Sequence, residues 1–236
     1  MSAASSTPQR PSGTARQGIR PLDAIAWVPY IVLAVVHVWA LASDSPIAAP
    51  TKLTLMPLLA IPVLAAAPRL RPRTIVALLL GALLFSWLGD GAGAFFPGGP
   101  ELPLMLLFFG VAHIGYIVLF LRFARMRRMP WWALVYVAWW VGMMLFLGPH
   151  TGGLIFAVAA YGLVLAGTAA TAARSHPIVA VGGAFFLASD SILALRLFLP
   201  DGLPDWTSPA VMLTYTIGQG LIVWGVLRAL GRRTGR

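Results

Sequence analysis

Apolar stretches separated by short polar breaks dominate the chain. They fall at 24–42, 53–67, 74–93, 102–122, 131–147, 152–173, 178–199 and 209–230. A membrane-spanning helix needs roughly 20 predominantly apolar residues, within a range of about 17–25. The pattern therefore predicts an all-α fold, a polytopic membrane bundle of eight transmembrane helices. The second stretch is short and carries Pro57 and Pro62. Proline is tolerated there where neighbouring helices or water satisfy the freed carbonyls. Residues 1–22 are rich in Ser, Thr, Pro, Gly and Arg and are expected to form a disordered cytoplasmic tail. The transmembrane domain is expected over 23–231, with a basic cytoplasmic tail at 232–236. No small-residue cleavage site follows the first apolar stretch, so it is expected to be a retained span and not a secretory signal.

Composition supports this class. Of the 236 residues, 59% are hydrophobic and 10% charged, with a mean hydropathy of +0.83. Soluble domains lie near half apolar and about a quarter charged, so a soluble globule and a disordered chain are both excluded. The chain has no cysteine, which removes disulfides, zinc–thiolate sites, iron–sulfur clusters and thiol nucleophiles.

The net charge of +10 is explained by topology, and no nucleic-acid partner is expected; the bilayer is. With the N-terminus in the cytoplasm and loops assigned alternately, fifteen of the 17 basic residues fall inside. They cluster at Arg10, Arg16 and Arg20, at Arg69, Arg71 and Arg73, from Arg122 to Arg128, at Arg174, and from Arg228 to Arg236. Only Lys52 and Arg196 fall outside, where the loops carry Asp44, Glu101, Asp201 and Asp205. This positive-inside bias predicts both termini in the cytoplasm and an integral protein of the plasma membrane. The pattern gives no oligomeric state.

A weak repeat runs through the chain. The segment Gly81–Asp90 resembles Gly182–Asp190, and His113-Ile-Gly-Tyr116 resembles Thr216-Ile-Gly-Gln219. Because the third and seventh helices run the same way, the repeat would be parallel, four helices plus four. Shared membrane-helix composition is the competing explanation.

Ionisable groups inside a membrane are costly, at about 2.5–3.5 kcal/mol on insertion scales, so those present are informative. They are His37, Lys52, Asp90, His113, Asp190 and Arg196, with Tyr116, Tyr215 and Gln219 as polar partners. At ~1.5 Å per residue, Asp190 is about 18 Å and Asp90 about 24 Å from the inner ends of their helices. Lys52 and Arg196 come near the outer ends, so one polar cavity toward the outer face is expected. Asp90 and Asp190 are the candidate catalytic pair: paired carboxyls in one site suit acid/base hydrolysis, one as acid and one as base. They would alternatively pair with Lys52 or Arg196 only to fix helix packing. His113 and Tyr116 share a helix face, as do Tyr215 and Gln219, and either line the cavity or link helices. His37 is read as core, and His150 and His176 as solvated loop residues. No close metal-ligand spacing occurs, and neither a phosphate-cradling loop nor a serine-esterase elbow is present, so no metal and no cofactor are expected.

Five short motifs in order carry a family resemblance: Lys52 with Met56-Pro57; Ser86-Trp-Leu-Gly-Asp90; Phe109-Gly110 with His113 and Tyr116; Gly183-Ala with Phe186 and Ser189-Asp190-Ser191; and Tyr215 with Gln219. The chain resembles the YhhN-like family of eight-helix membrane proteins, whose animal members are lysoplasmalogenases, over roughly residues 24–230. Leu53 departs from the proline that often follows the lysine in that family. The resemblance implies hydrolysis of the vinyl ether bond of a lysophospholipid to a fatty aldehyde and a glycerophospho-head group, with no cofactor. Asp90 and Asp190 would then be catalytic. Lys52 and Arg196 would hold the lipid phosphate, and His113, Tyr116, Tyr215 and Gln219 would position the reacting atoms. Paired intramembrane acids suit a proton-coupled transporter or lipid carrier as well.

Overall fold

The computed structural model describes residues 24–124, 126–199 and 202–231. The expected tails at 1–22 and 232–236 lie outside these residues, as do Arg125 and Asp201. All regular structure among the described residues is helical. Eight long helices take up the eight apolar stretches: α1 Val28–Ala42, α2 Ala48–Ala66, α3 Thr74–Asp90, α4 Glu101–Arg122, α5 Leu134–Leu147, α6 Ile155–Ala172, α7 Pro177–Phe198 and α8 Thr207–Gly231. Short 3₁₀ turns lengthen α2, α5 and α6. With these turns, six of the eight helices are long and apolar enough to cross a membrane. The other two, α1 and α3, are apolar but have only 15 and 17 residues. At ~1.5 Å per residue they reach about 22 and 26 Å, short of a ~30 Å hydrocarbon core.

Helix α2 begins five residues before the apolar pattern does. Pro50 stands in its first turn, where a missing N–H is not needed. The Thr51 and Thr54 hydroxyls donate back to the carbonyls of Ile47 (2.6 Å) and Pro50 (2.9 Å). The polar run Thr-Lys-Leu-Thr is thus helical, and Lys52 sits within α2 instead of ahead of it. Pro57 leaves the Leu53 carbonyl without its helical donor. The Trp87 indole N–H of α3 supplies one at 2.8 Å. The Pro57 break is thereby repaired from the Ser86-Trp87 segment, which ties two of the short motifs together.

The helices form a closed circuit. α1 packs on α2, α2 on α3, α3 on α4, α4 on α6, α6 on α7, α7 on α8, and α8 returns to α1 and also touches α2. α5 stands outside the circuit against α6 and exposes Leu134, Val135, Val137, Leu145 and Phe146. A continuous apolar surface of this kind fits lipid, because soluble monomers rarely expose large apolar patches. Inside the circuit are most of the buried polar side chains, including Ser86, His113, Thr168, Asp190 and Gln219.

α7 and α8 make the closest approach. A Cβ at Gly182 would lie 2.8 Å from the Ile222 nitrogen and 2.9 Å from the Gly218 oxygen. One at Gly218 would lie 2.8 Å from the Phe186 nitrogen, and one at Gly225 would lie 2.6 Å from a Val179 methyl. Small residues let membrane helices approach backbone to backbone, where packing substitutes for the missing hydrophobic drive. Tyr30 of α1 donates to the Thr216 carbonyl of α8 at 2.7 Å and closes the circuit on the other flank. His176 is not a free loop residue: it caps α7, its Nδ1 accepting from the Ile178 N–H at 3.2 Å, with Pro177 following in the first turn.

Candidate active site

Two carboxyl groups organise the interior, each with its own tyrosine. Asp90 is the last residue of α3, and its side chain is 4% exposed. Tyr215 of α8 donates to Asp90 Oδ2 at 2.8 Å. Lys52 Nζ of α2 lies 3.7 Å from Asp90 Oδ1. Behind Tyr215 the donors run in one direction. Tyr116 of α4 donates to Gln219 Oε1 (2.5 Å), and Gln219 Nε2 donates to Ser86 Oγ (3.0 Å) and, at longer range, to Tyr215 Oη (3.4 Å). Tyr116, Gln219 and Ser86 are fully buried, so these bonds are made away from water, where an unmade one is expensive. Lys52 of α2 and Tyr215 of α8 therefore present donors to Asp90, while Tyr116 and Gln219 stand behind Tyr215.

Asp190 of α7 is held differently. Tyr161 of α6 donates to its Oδ2 in a short hydrogen bond. His113 Nε2 of α4 lies 3.7 Å from the same oxygen and 3.4 Å from the Tyr161 hydroxyl. The other ring nitrogen, Nδ1, meets Thr168 Oγ1 at 3.1 Å. The Thr168 hydroxyl has a single proton, and its own acceptors are the carbonyls of Val164 (2.9 Å) and His113 (3.4 Å). The imidazole therefore donates from Nδ1. In a neutral ring this leaves Nε2 as a lone pair turned toward the Asp190 carboxyl. That nitrogen and the carboxyl share the Tyr161 hydroxyl as their neighbour.

Phe186 separates the two networks, stacked edge-on against His113 (4.7 Å between centroids) and Tyr215 (5.4 Å). The carboxyls do not touch, yet Asp190 is near enough to act electrostatically on Asp90. Among the described residues no three His, Asp or Glu side chains converge on a metal-sized site.

A cavity of about 230 Å³ lies at the bundle end where α1 gives way to α2 and α7 to α8. His37, Lys52, Arg196, Leu193, Ser208 and Met212 are among its lining residues. Arg196 Nη1 donates to the Thr207 hydroxyl in a short hydrogen bond and, at 3.4 Å, to the Pro204 carbonyl. Leu193 is one turn beyond Asp190 on α7, and Met212 one turn before Tyr215 on α8. With Lys52 reaching Asp90, the cavity floor is about one turn, ~5 Å, from both carboxyl networks.

The structure gathers the candidate residues, but into two networks and a separate cavity in place of the single cavity expected. Tyr116, Tyr215 and Gln219 join Asp90, His113 joins Asp190, and Lys52 bridges Asp90 to the cavity. Arg196 lines the cavity and meets neither aspartate in a described ion pair. Sequence reasoning missed Tyr161 and Thr168. They are seven residues apart and so share one face of α6, a polar stripe in an otherwise small and apolar helix. Trp139 of α5 donates to Ser191 Oγ beside Asp190 at 3.1 Å.

The model of the YhhN family matches residues 47–226, which takes in α2 to α7 whole, α8 as far as Val226 and every residue of both carboxyl networks. The chain belongs to the YhhN family. No curated protein and no solved structure gives a significant match. In this YhhN protein the matched stretch omits α1, so His37 and Tyr30 stand outside it.

Proposed function

We propose that this YhhN protein is an intramembrane hydrolase of the lysoplasmalogenase type, cleaving the vinyl ether bond of an ether lysophospholipid by carboxylate acid/base chemistry. The observation that carries the reading is the contrast between the two carboxyls. Asp90 faces donors, Lys52 and Tyr215, an arrangement suited to a base that also stabilises a cation. Asp190 faces a tyrosine and an imidazole lone pair and is placed to share a proton. In this mechanism the His113–Asp190 pair delivers its proton to the β-carbon of the enol ether. The C=C π electrons form the new C–H bond, and the ether oxygen lone pair stabilises the adjacent cation as an oxocarbenium. Asp90 stabilises that cation and takes a proton from the water that adds to it. Asp90 then gives that proton to the glycerol oxygen as the hemiacetal C–O bond breaks, and the hemiacetal hydroxyl proton returns to the His113–Asp190 pair, so both groups regain their starting states as the fatty aldehyde and the glycerophospho-head group leave. Lys52 and Arg196 hold the phosphate, and the alkenyl chain lies between helices.

The test is aldehyde release from the purified protein in detergent. Vinyl-ether lysolipid should give aldehyde, and the saturated-ether analogue should give none, because it has no π bond to protonate. A folded sample that releases no aldehyde but moves lysolipid across sealed vesicles would replace this reading with a carrier.

We further propose that all eight helices cross the plasma membrane, with both termini in the cytoplasm. The shorter α1 and α3 are accommodated by local thinning of the bilayer, at fractions of a kcal/mol per Å of mismatch. A reporter that is active only outside the cytoplasm, fused after Arg236, should stay silent; a signal from it would overturn the cytoplasmic C-terminus.

A further inference from the structure

His37 is 1% exposed, and its Nε2 is a buried nitrogen with no hydrogen-bond partner among the described residues. Buried polar atoms without partners are uncommon and call for an explanation. The ring is not loosely placed. Its Nδ1 meets Thr51 Oγ1 at 2.9 Å, and the Thr51 proton goes to the Ile47 carbonyl (2.6 Å) or the Ala48 carbonyl (3.0 Å). The hydroxyl can therefore only accept from the ring, and Nδ1 carries the hydrogen. That leaves Nε2 of the neutral imidazole as a lone pair. The same side chain lines the cavity in which Lys52 and Arg196 supply positive charge. Two cations and one lone pair form a mixed recognition set, suited to an anion with a hydroxyl donor beside it.

Taking the lysolipid hydrolase reading as its basis, we propose that this cavity is the head-group site and that His37 reads the free glycerol hydroxyl, the group that distinguishes a lysolipid from its diacyl counterpart. The central glycerol carbon separates the phosphate-bearing carbon from the ether-bearing one. Its hydroxyl thus falls between the phosphate at Lys52 and Arg196 and the bond to be broken near Asp90 and Asp190. His37 Nε2 accepts its hydrogen. A second acyl chain at that oxygen removes the hydrogen and adds bulk to a cavity of about 230 Å³. Selection comes from the bond gained: only a lipid with the hydroxyl pairs the buried lone pair. His37 comes from α1, outside the matched family segment, whereas Lys52 and Arg196 lie within it.

The experiment measures binding separately from turnover. The probes are a saturated-ether lysolipid, which has no bond to cleave in this reaction, and its 2-deoxy counterpart, titrated into the full-length protein in detergent. The parent should bind the hydroxyl-bearing lipid about tenfold more tightly, the scale of one hydrogen bond to a buried acceptor. His37→Phe keeps a ring but no acceptor and should bind both lipids alike. His37→Gln, which can offer an oxygen near the place of Nε2, should restore part of the preference. Equal binding of the two lipids by the parent overturns the proposal, as does a preference that survives in folded His37→Phe. Aldehyde release is scored in parallel: release without discrimination sinks the His37 proposal alone, and discrimination without release sinks the hydrolase reading alone.

Discussion

Asp190→Asn and Asp90→Asn should each lower aldehyde release by about 10²–10⁴-fold, the usual worth of a positioned acid or base, while the protein stays folded. The structure explains why folding should survive. An asparagine at 190 still offers its carbonyl oxygen to the Tyr161 hydroxyl, so the hydrogen bond that anchors the side chain is kept. At 90 an asparagine oxygen still accepts from Tyr215, and the group that loses a charged partner is Lys52, whose side chain is 37% exposed and able to reach water. An ion pair with one partly solvated member contributes little to stability. The loss is therefore chemical: neither amide carries the proton or the charge. Tyr161→Phe removes only a hydrogen bond to Asp190 and should fall between the parent and Asp190→Asn. The measurement is aldehyde per folded monomer, with folding followed by size-exclusion profile and thermal transition. Full activity in either folded asparagine variant would remove that carboxyl from the mechanism and leave it a packing role.

Gly218→Leu should abolish recovery of folded protein, and Gly218→Ala should destabilise it measurably. The atoms that a Cβ would strike at Gly218 and Gly182 are backbone nitrogens and oxygens of the facing helix, which cannot rotate aside as a side chain can. Relief requires α7 and α8 to separate. Overpacking a tight interior typically costs 1–3 kcal/mol, so about that much is expected for alanine, and more for leucine. Separation would also withdraw Tyr215 and Gln219 from Asp90, so activity should fall with stability. Gly142→Ala is the control. A Cβ there meets nothing within 4 Å, and alanine is the better helix former by about 1 kcal/mol. Unfolding temperature in detergent reads both. A Gly218→Ala protein as stable as the parent would show that the α7–α8 contact has room to adjust.

The helix count was legible because a membrane helix announces itself along one dimension, as apolar length between charged loops. The start of α2 was not, because Thr51 and Lys52 precede the apolar stretch and only the Thr51 hydroxyl bonding back to Ile47 and Ala48 shows that they are helical. The aspartates stood out because charge is rare in such segments. Their partners did not. Asp90 finds Tyr215 across 125 positions of sequence and Asp190 finds Tyr161 across 29, and nothing local encodes either choice. Tyr161 had only its spacing from Thr168 to mark it. His37 looked like core by its apolar neighbours, and only the hydrogen-bond inventory of Thr51 shows that one of its nitrogens is left over. The glycines of α7 and α8 were visible as small residues, but which of them face each other depends on how the two helices meet.

The circuit has an order in time as well as in space. α8 follows every other described helix along the chain, so it leaves the ribosome last. It brings both Tyr215 and Gln219, and it fits between α7 and α1. Until it arrives, Asp90 has Lys52 but no hydroxyl donor from α8, and Tyr116 lacks its amide acceptor. The Asp190 network, built from α4, α6 and α7, is complete one helix earlier. The nascent protein thus completes the Asp190 network before the Asp90 network, and the interior becomes whole only with the helix that closes the bundle.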